Sequence, residues 1–171
     1  DCIEARLFGI GLESYTVGSY DFYLGYGAKK GKIVTLDTGH FHLTESVADK
    51  ISCLLLFTPE IMLHVSRPIR WDSDHVVIIN DDLLDLTREI VRCNALDRVH
   101  IGLDYFDATI NRIGAYVIGV RSTQKALMMA LLEPQKKLQQ NEAKDQLFQR
   151  LALPDALKGM PWHEGWGMLC I

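Results

Sequence analysis

The sequence predicts an α/β protein built on a parallel sheet, and two observations carry that prediction. Strand-like and helix-like segments alternate four times, which requires parallel strands joined by helical crossovers. Side chains that bind hard or borderline metals stand where the strand-like segments end, the arrangement of a metal site at the carboxyl ends of barrel strands. An eight-stranded (β/α)8 barrel of the TIM type needs about 250 residues. The four βα units of these 171 residues are therefore half of one, followed by a C-terminal extension.

Each element rests on its own signals. Arg6–Ile10, with Gly9 and Gly11 at its end, predicts the first strand. Ser19 caps a helix through Asp21–Tyr26, with Gly27 as its stop. Lys32–Leu36 is a β-branched strand closed by Asp37. Thr44 opens a helix on Val47, Ile51, Leu54 and Leu55, which Pro59 ends. Ile61–Val65 is the third strand. A polar excursion follows over Ser66–Ile79, and Asp81–Asp82 start a helix with Leu83, Leu86, Ile90 and Val91 on one face. Val99–Leu103 is the fourth strand. Helical spacing then runs from Ile110 to Leu132, with an interruption expected at Gly119. Gln135–Leu151 reads as an exposed helix, and 153–171 as an irregular tail. Residues 1–134 thus form the sheet domain and residues 135–171 the extension.

Composition narrows the function. A net charge of −4 with scattered basic residues predicts no nucleic-acid partner. No apolar run reaches the roughly 20 residues that span a bilayer, so no membrane is expected. Cys2, Cys53, Cys93 and Cys170 are far apart and read as free thiols in a reducing compartment, the cytoplasm. The chain begins at Asp1 rather than methionine and ends at Leu169–Cys170–Ile171, which predicts that both ends continue into a longer polypeptide. Unpaired strand edges at Arg6–Ile10 and Val99–Leu103 predict a homo-oligomer or a complementing N-terminal half.

Seven side chains are candidate ligands: Glu13, Asp37, His40, His64, Asp72, Asp74 and Asp104. Glu13, Asp37, His64 and Asp104 each close one apolar run, where a carboxylate is costly to bury unless it is paired or bound to metal. Asp72 and Asp74, two apart in an extended segment, project to one side and can face one cation. By itself that motif is equally a turn. His40 after Gly39 alone reads as a surface residue, and His64 alone as a core histidine. Four separate strand ends delivering one ligand each favour the shared site. Arg67 and Arg70 can offset the negative charge or contact substrate oxygens. Trp71 and Phe41 can floor a sugar pocket or fill the core. His42 and His75 are candidates for contacts that orient the ligands.

Several segments also resemble the L-rhamnose isomerase family. They are Leu7-Phe-Gly-Ile-Gly-Leu-Glu-Ser-Tyr-Thr-Val-Gly18, Leu36-Asp-Thr-Gly-His-Phe-His42, Leu63-His-Val-Ser-Arg-Pro-Ile-Arg-Trp-Asp-Ser-Asp-His75, Arg98-Val-His-Ile-Gly-Leu-Asp-Tyr-Phe-Asp107 and Ile110-Asn-Arg112. The likeness covers Leu7 to Pro134 and continues more loosely to Trp166.

The resemblance implies strands five to eight of a (β/α)8 barrel, with 1–134 as the C-terminal half of a sugar isomerase domain. It implies a two-metal enzyme acting on a small sugar, interconverting L-rhamnose and L-rhamnulose by a metal-assisted hydride shift. Glu13, Asp37, His64 and Asp104 are implied as ligands of a structural metal. His40, Asp72 and Asp74 are implied for the catalytic one, with Asp37 near both. Asp72, His40 and Asp37 are the implied catalytic residues, and Trp71, Arg67 and Phe41 are the candidates for sugar contact. Manganese is the implied ion, with zinc, cobalt or magnesium as alternatives, and a homotetramer the implied assembly. Two other readings stay open: another metal-dependent epimerase or hydrolase on the same barrel, and a catalytically incomplete half-barrel.

Overall fold

The structure, a computed structural model, describes residues 1–5, 19–42, 44–69, 74–107 and 109–169. Four strands, β1 (Cys2–Glu4), β2 (Ile33–Asp37), β3 (Ile61–Val65) and β4 (Val99–Leu103), form one sheet in that order, each neighbouring pair parallel. Helices α1 (Tyr20–Lys30), α2 (Ala48–Leu54) and α3 (Asp81–Arg92) connect them, and α4 (Arg112–Leu131) follows the last strand. Then come α5 (Gln135–Ala143), α6 (Leu147–Lys158) and α7 (Trp162–Leu169).

Register sorts the strand side chains onto two faces, because residues paired across a ladder share a face and successive residues alternate. Val34, Leu36, Ile61, Leu63, Val65 and Val99 share one face and are buried. Ile51 and Leu54 of α2, Leu83, Leu86 and Ile90 of α3, and Ala115 and Ala126 of α4 join them in one hydrophobic cluster. Fully burying a side chain such as Ile90 contributes roughly 1.5–3 kcal/mol. Every strand residue of that cluster lies on this first face. The second face carries Glu4, Thr35, Asp37, Met62 and His64. Helical packing therefore loads one face of the sheet, and the ionisable groups gather on the other.

Several boundaries differ from the sequence expectation. The strand beside β2 is Cys2–Glu4, in register with Ile33–Thr35. The strand expected at Arg6–Ile10 lies outside the described residues. Helix α1 runs past Gly27 to a cap at Gly31, whose φ of 60° is left-handed. Gly27 is instead buried, with Val34 and Ile3 too close to admit a side chain. Helix α2 starts at Ala48, four residues after Thr44, whose hydroxyl lies 2.7 Å from His42 Nδ1. Asn80 caps α3 by accepting from Leu83 N–H at 3.0 Å.

Helix α4 passes unbroken through Gly119, because that glycine makes room for the Tyr105 ring. The expected exposed helix after Pro134 is two helices, α5 and α6, separated at Asp145 by a positive φ of 56°. The tail expected to be irregular is helical, and Pro154 lies inside α6.

Candidate metal centre

The ligand candidates meet at the carboxyl edge of the second face. Asp37, the last residue of β2, pairs in register with His64 of β3. Asp104 follows β4 directly, and its N–H donates to Val65 O at 3.1 Å, extending the β3–β4 ladder by one bond. Glu4, the last residue of β1, pairs with Thr35 and so falls on the face of Asp37. Four consecutive strands thus deliver one side chain each.

Two groups emerge, and Asp37 belongs to both. One holds Glu4, Asp37 and His40; the other holds Asp37, His64 and Asp104. His64 Nδ1 stands 3.3 Å from Glu4 Oε2, 3.6 Å from Asp37 Oδ2 and 3.3 Å from Asp104 Oδ2. That nitrogen is buried and has no hydrogen-bond partner. It is surrounded by three carboxylates yet aligned with none of them. A cation shared by the ring nitrogen and the carboxylates satisfies all of these groups, and a mixed O/N donor set suits manganese, zinc, cobalt or magnesium more than soft ions.

His40 Nδ1 lies 3.1 Å from Glu4 Oε1 and 3.1 Å from Ala5 O, and its Nε2 lies 3.8 Å from Asp37 Oδ2. Asp37 is almost fully buried, and its Oδ1 accepts the Gly39 N–H at 2.7 Å. Its Oδ2 is left facing the two imidazoles. Burial raises the Asp37 carboxyl to about 7, with His40 and the Gly39 N–H opposing and Asp74 and Glu4 adding repulsion. Burial works against charge on His40, but the Glu4 hydrogen bond and the Asp37 and Glu4 charges raise it to about 9. For Glu4, burial pushes upward, and the His40 bond with the histidine charges outweighs it, leaving the carboxyl lowered.

Asp74 stands across Gly39 from Asp37. A side chain on Gly39 would run into Asp74 Oδ1 and come within 3.2 Å of Asp37 Oδ1, so only glycine fits between the two carboxylates. Ser66 Oγ donates to Asp74 Oδ1 at 2.8 Å. His40, expected beside Asp72 and Asp74, is placed against Glu4 and Asp37. Glu13, Asp72, Trp71 and Arg70 lie outside the described residues. Arg67 binds its own excursion, with Nε donating to Val76 O at 2.9 Å and its backbone bridged to His75. Phe41 packs edge-on against Tyr20 at 5.3 Å, with Lys50 Nζ 4.7 Å above its ring. His42 is exposed and bonds Thr44.

Glu4 is the residue that sequence reasoning missed. It closes Cys2–Ile3 as Asp37 closes its own apolar run, but three residues show no period. The glycines at 9 and 11 drew the expected strand further along the chain.

The family profile described as L-rhamnose isomerase (RhaA) matches residues 1–171. The chain belongs to the L-rhamnose isomerase family. It is 67% identical over 171 residues to the L-rhamnose isomerase of Bacteroides thetaiotaomicron, covering 100% of this chain and 41% of that protein. The L-rhamnose isomerases of Citrobacter koseri and Salmonella paratyphi B are each 55% identical over 170 residues, covering 99% of this chain and 41% of theirs. The chain therefore spans about two-fifths of the length of these L-rhamnose isomerases. No helix among the described residues is long and apolar enough to cross a membrane.

Proposed function

We propose that this chain carries the metal-binding half of an L-rhamnose isomerase, an enzyme interconverting L-rhamnose and L-rhamnulose. The observation that carries the reading is the strand-end centre around His64 Nδ1, in a chain of that family. The four βα units would be strands five to eight of a (β/α)8 barrel, with the second face turned inward. One-sided helical packing supports that architecture, because a doubly wound sheet is covered on both faces.

Glu4, Asp37, His64 and Asp104 would hold one divalent ion, with Glu4 in the role the sequence suggested for Glu13. His40, Asp72 and Asp74 would hold the other beside Asp37. Manganese is the expected ion at the second position. When bound, the ions act as Lewis acids on neighbouring sugar oxygens.

The protein's own groups do the rest. The Gly39 N–H holds Asp37 Oδ1 and so orients Oδ2. Ala5 O and Glu4 hold His40 Nδ1 and leave Nε2 facing Asp37. Asp72 would carry the proton between O1 and O2 of the open-chain sugar. Meanwhile hydrogen passes with its electron pair from C2 to C1, so aldose becomes ketose without an external oxidant. Arg67 and Trp71 stand in the segments that would face the sugar.

A second reading applies to these 171 residues alone. The exposed outer residues Ile113, Val117 and Val120 of α4 favour a half-barrel that needs further polypeptide for turnover. The test is an assay of L-rhamnulose formation with manganese, using the full-length protein and residues 1–171 in parallel. The full-length protein is expected to turn over and to lose activity when metal is removed, and the shorter chain to be inactive. Near-normal turnover by full-length Asp72→Asn would remove Asp72 from the catalytic role.

A further inference from the structure

Asp74 comes from the excursion between β3 and α3, outside the sheet, yet its carboxylate is tied to sheet residues. The tie runs through two buried hydroxyls, Thr38 just beyond β2 and Ser66 just beyond β3. Thr38 N–H donates to His64 O at 3.0 Å, continuing the β2–β3 ladder. Ser66 N–H donates to Thr38 Oγ1 at 2.9 Å. Thr38 Oγ1 is 3.2 Å from Ser66 O and 3.1 Å from Ser66 Oγ. Ser66 Oγ lies 2.8 Å from Asp74 Oδ1.

Proton counting sets the direction of this relay. An ionised carboxylate only accepts, and each hydroxyl has one proton. The Ser66 proton therefore goes to Asp74, and the single Thr38 proton goes to Ser66 O or is shared with Ser66 Oγ. The Ser66 hydroxyl is thus the donor to Asp74 Oδ1, with Thr38 Oγ1 held against Ser66 behind it.

The excursion is fastened at the same place. Arg67 N–H donates to His75 O at 2.9 Å, and Arg67 Nε donates to Val76 O at 2.9 Å. These bonds bring residue 74 back beside residue 66, but they fix backbone only. The Ser66 hydroxyl is the contact that selects the carboxylate's orientation. It does for Asp74 what the Gly39 N–H does for Asp37, holding one oxygen of the carboxylate.

We propose that Ser66, backed by Thr38, is a positioning residue that orients Asp74 and thereby sets the ion affinity of the second metal position. The proposal rests on the reading of Asp74 as a ligand. Groups that orient a ligand from behind typically change metal affinity by about 10–100-fold when removed.

The experiment titrates Mn2+ into the metal-depleted full-length protein and follows free Mn2+ by electron paramagnetic resonance. Asp74→Asn is measured first, and it is expected to weaken one of two classes of site. Mn2+ binding by Asp74→Asn equal to that of the unsubstituted protein would sink the ligand reading itself. With that class identified, Ser66→Ala is expected to raise its dissociation constant about tenfold and to leave the other class unchanged. Ser66→Thr, which keeps the hydroxyl, is expected to retain the affinity, and Thr38→Val to produce a smaller loss than Ser66→Ala. If Asp74→Asn weakens a class that Ser66→Ala leaves intact, or if Ser66→Ala weakens both classes equally, the positioning role is wrong. Should Ser66→Ala fail to fold, Thr38→Val decides: unchanged affinity of the Asp74 class overturns the proposal.

Discussion

The two ends of the β3–β4 pair both carry ionisable groups beside buried backbone, and they differ in how those groups are satisfied. At the amino end Arg98 Nε donates to Pro59 O at 2.7 Å, and its Nη2 donates to Leu55 O at 2.8 Å and Thr58 O at 3.1 Å. One guanidinium thus closes three carbonyls at the turn between α2 and β3. At the carboxyl end Glu4, Asp37 and Asp104 surround His64 Nδ1, which is buried without a hydrogen-bond partner. The amino end is complete within the chain. The carboxyl end gathers carboxylates around an imidazole nitrogen without a hydrogen-bond partner, and in the proposed reading a cation would complete it. That division is the one expected if the sheet is part of a barrel, where stability is built at one end of the strands and chemistry at the other.

The largest effect expected from this contrast is at Asp37, which belongs to both ligand groups. Asp37→Asn in the full-length protein should empty both metal positions and lower turnover by about 10³-fold or more. Lewis-acid stabilisation is worth several kcal/mol, and about 1.4 kcal/mol is a factor of ten. The same change removes a buried carboxylate that resists ionising, so the metal-free protein should become no less stable. Metal analysis, turnover and thermal unfolding in parallel check this. A destabilised protein that retained its metal would reverse the assignment of this end.

A smaller effect is expected at the other end. Arg98→Met should cost about 2 kcal/mol by leaving carbonyls without donors, while metal content stays unchanged. Denaturant unfolding measures the first and metal analysis the second. Loss of metal without loss of stability would mean that the two ends are not separable.

The smallest effect is in protons. The folded value of His40, about 9, lies above its ordinary 6.5. Its stabilising contribution is therefore complete below 6.5 and fades as pH rises through about 9. The folded value of Asp37, about 7, also lies above its ordinary 3.8, so its contribution fades between 3.8 and about 7. The lowered Glu4 has the opposite sign, and its contribution is lost as pH falls below 4.5.

Across the neutral range the metal-free protein should therefore lose stability as pH rises. Ligands bind metal deprotonated, so adding Mn2+ at about pH 8 should release roughly one proton, mainly from His40, and at about pH 6 roughly two. A pH-stat titration measures this. No proton release at the higher pH would show that His40 is not displaced from its proton by the ion.

Much of this protein was legible in its sequence. The three strands Ile33–Asp37, Ile61–Val65 and Val99–Leu103 each contain enough apolar residues for the pattern to show, and each has a candidate ligand at or beside its carboxyl end. Asp37, His64 and Asp104 were readable for that reason, since a carboxylate or imidazole at the end of an apolar strand is conspicuous. Free thiols at Cys2, Cys53 and Cys93 were likewise expected and are present.

What only the tertiary structure decided concerns contacts between segments far apart in the chain. Glu4 enters the centre because Cys2–Glu4 pairs with Ile33–Thr35, and a three-residue strand is specified by its partner rather than by its own period. Gly27 and Gly119 read as a helix stop and an interruption, yet each is a packing site whose neighbour, Val34 or Tyr105, occupies the missing side chain's place. The hold of Ser66 on Asp74 depends on an excursion folding back across eight residues. Local sequence determines periodicity, caps and the kinds of group available. It cannot specify which atoms meet across the sheet edge, because those distances are set by register and packing between whole elements.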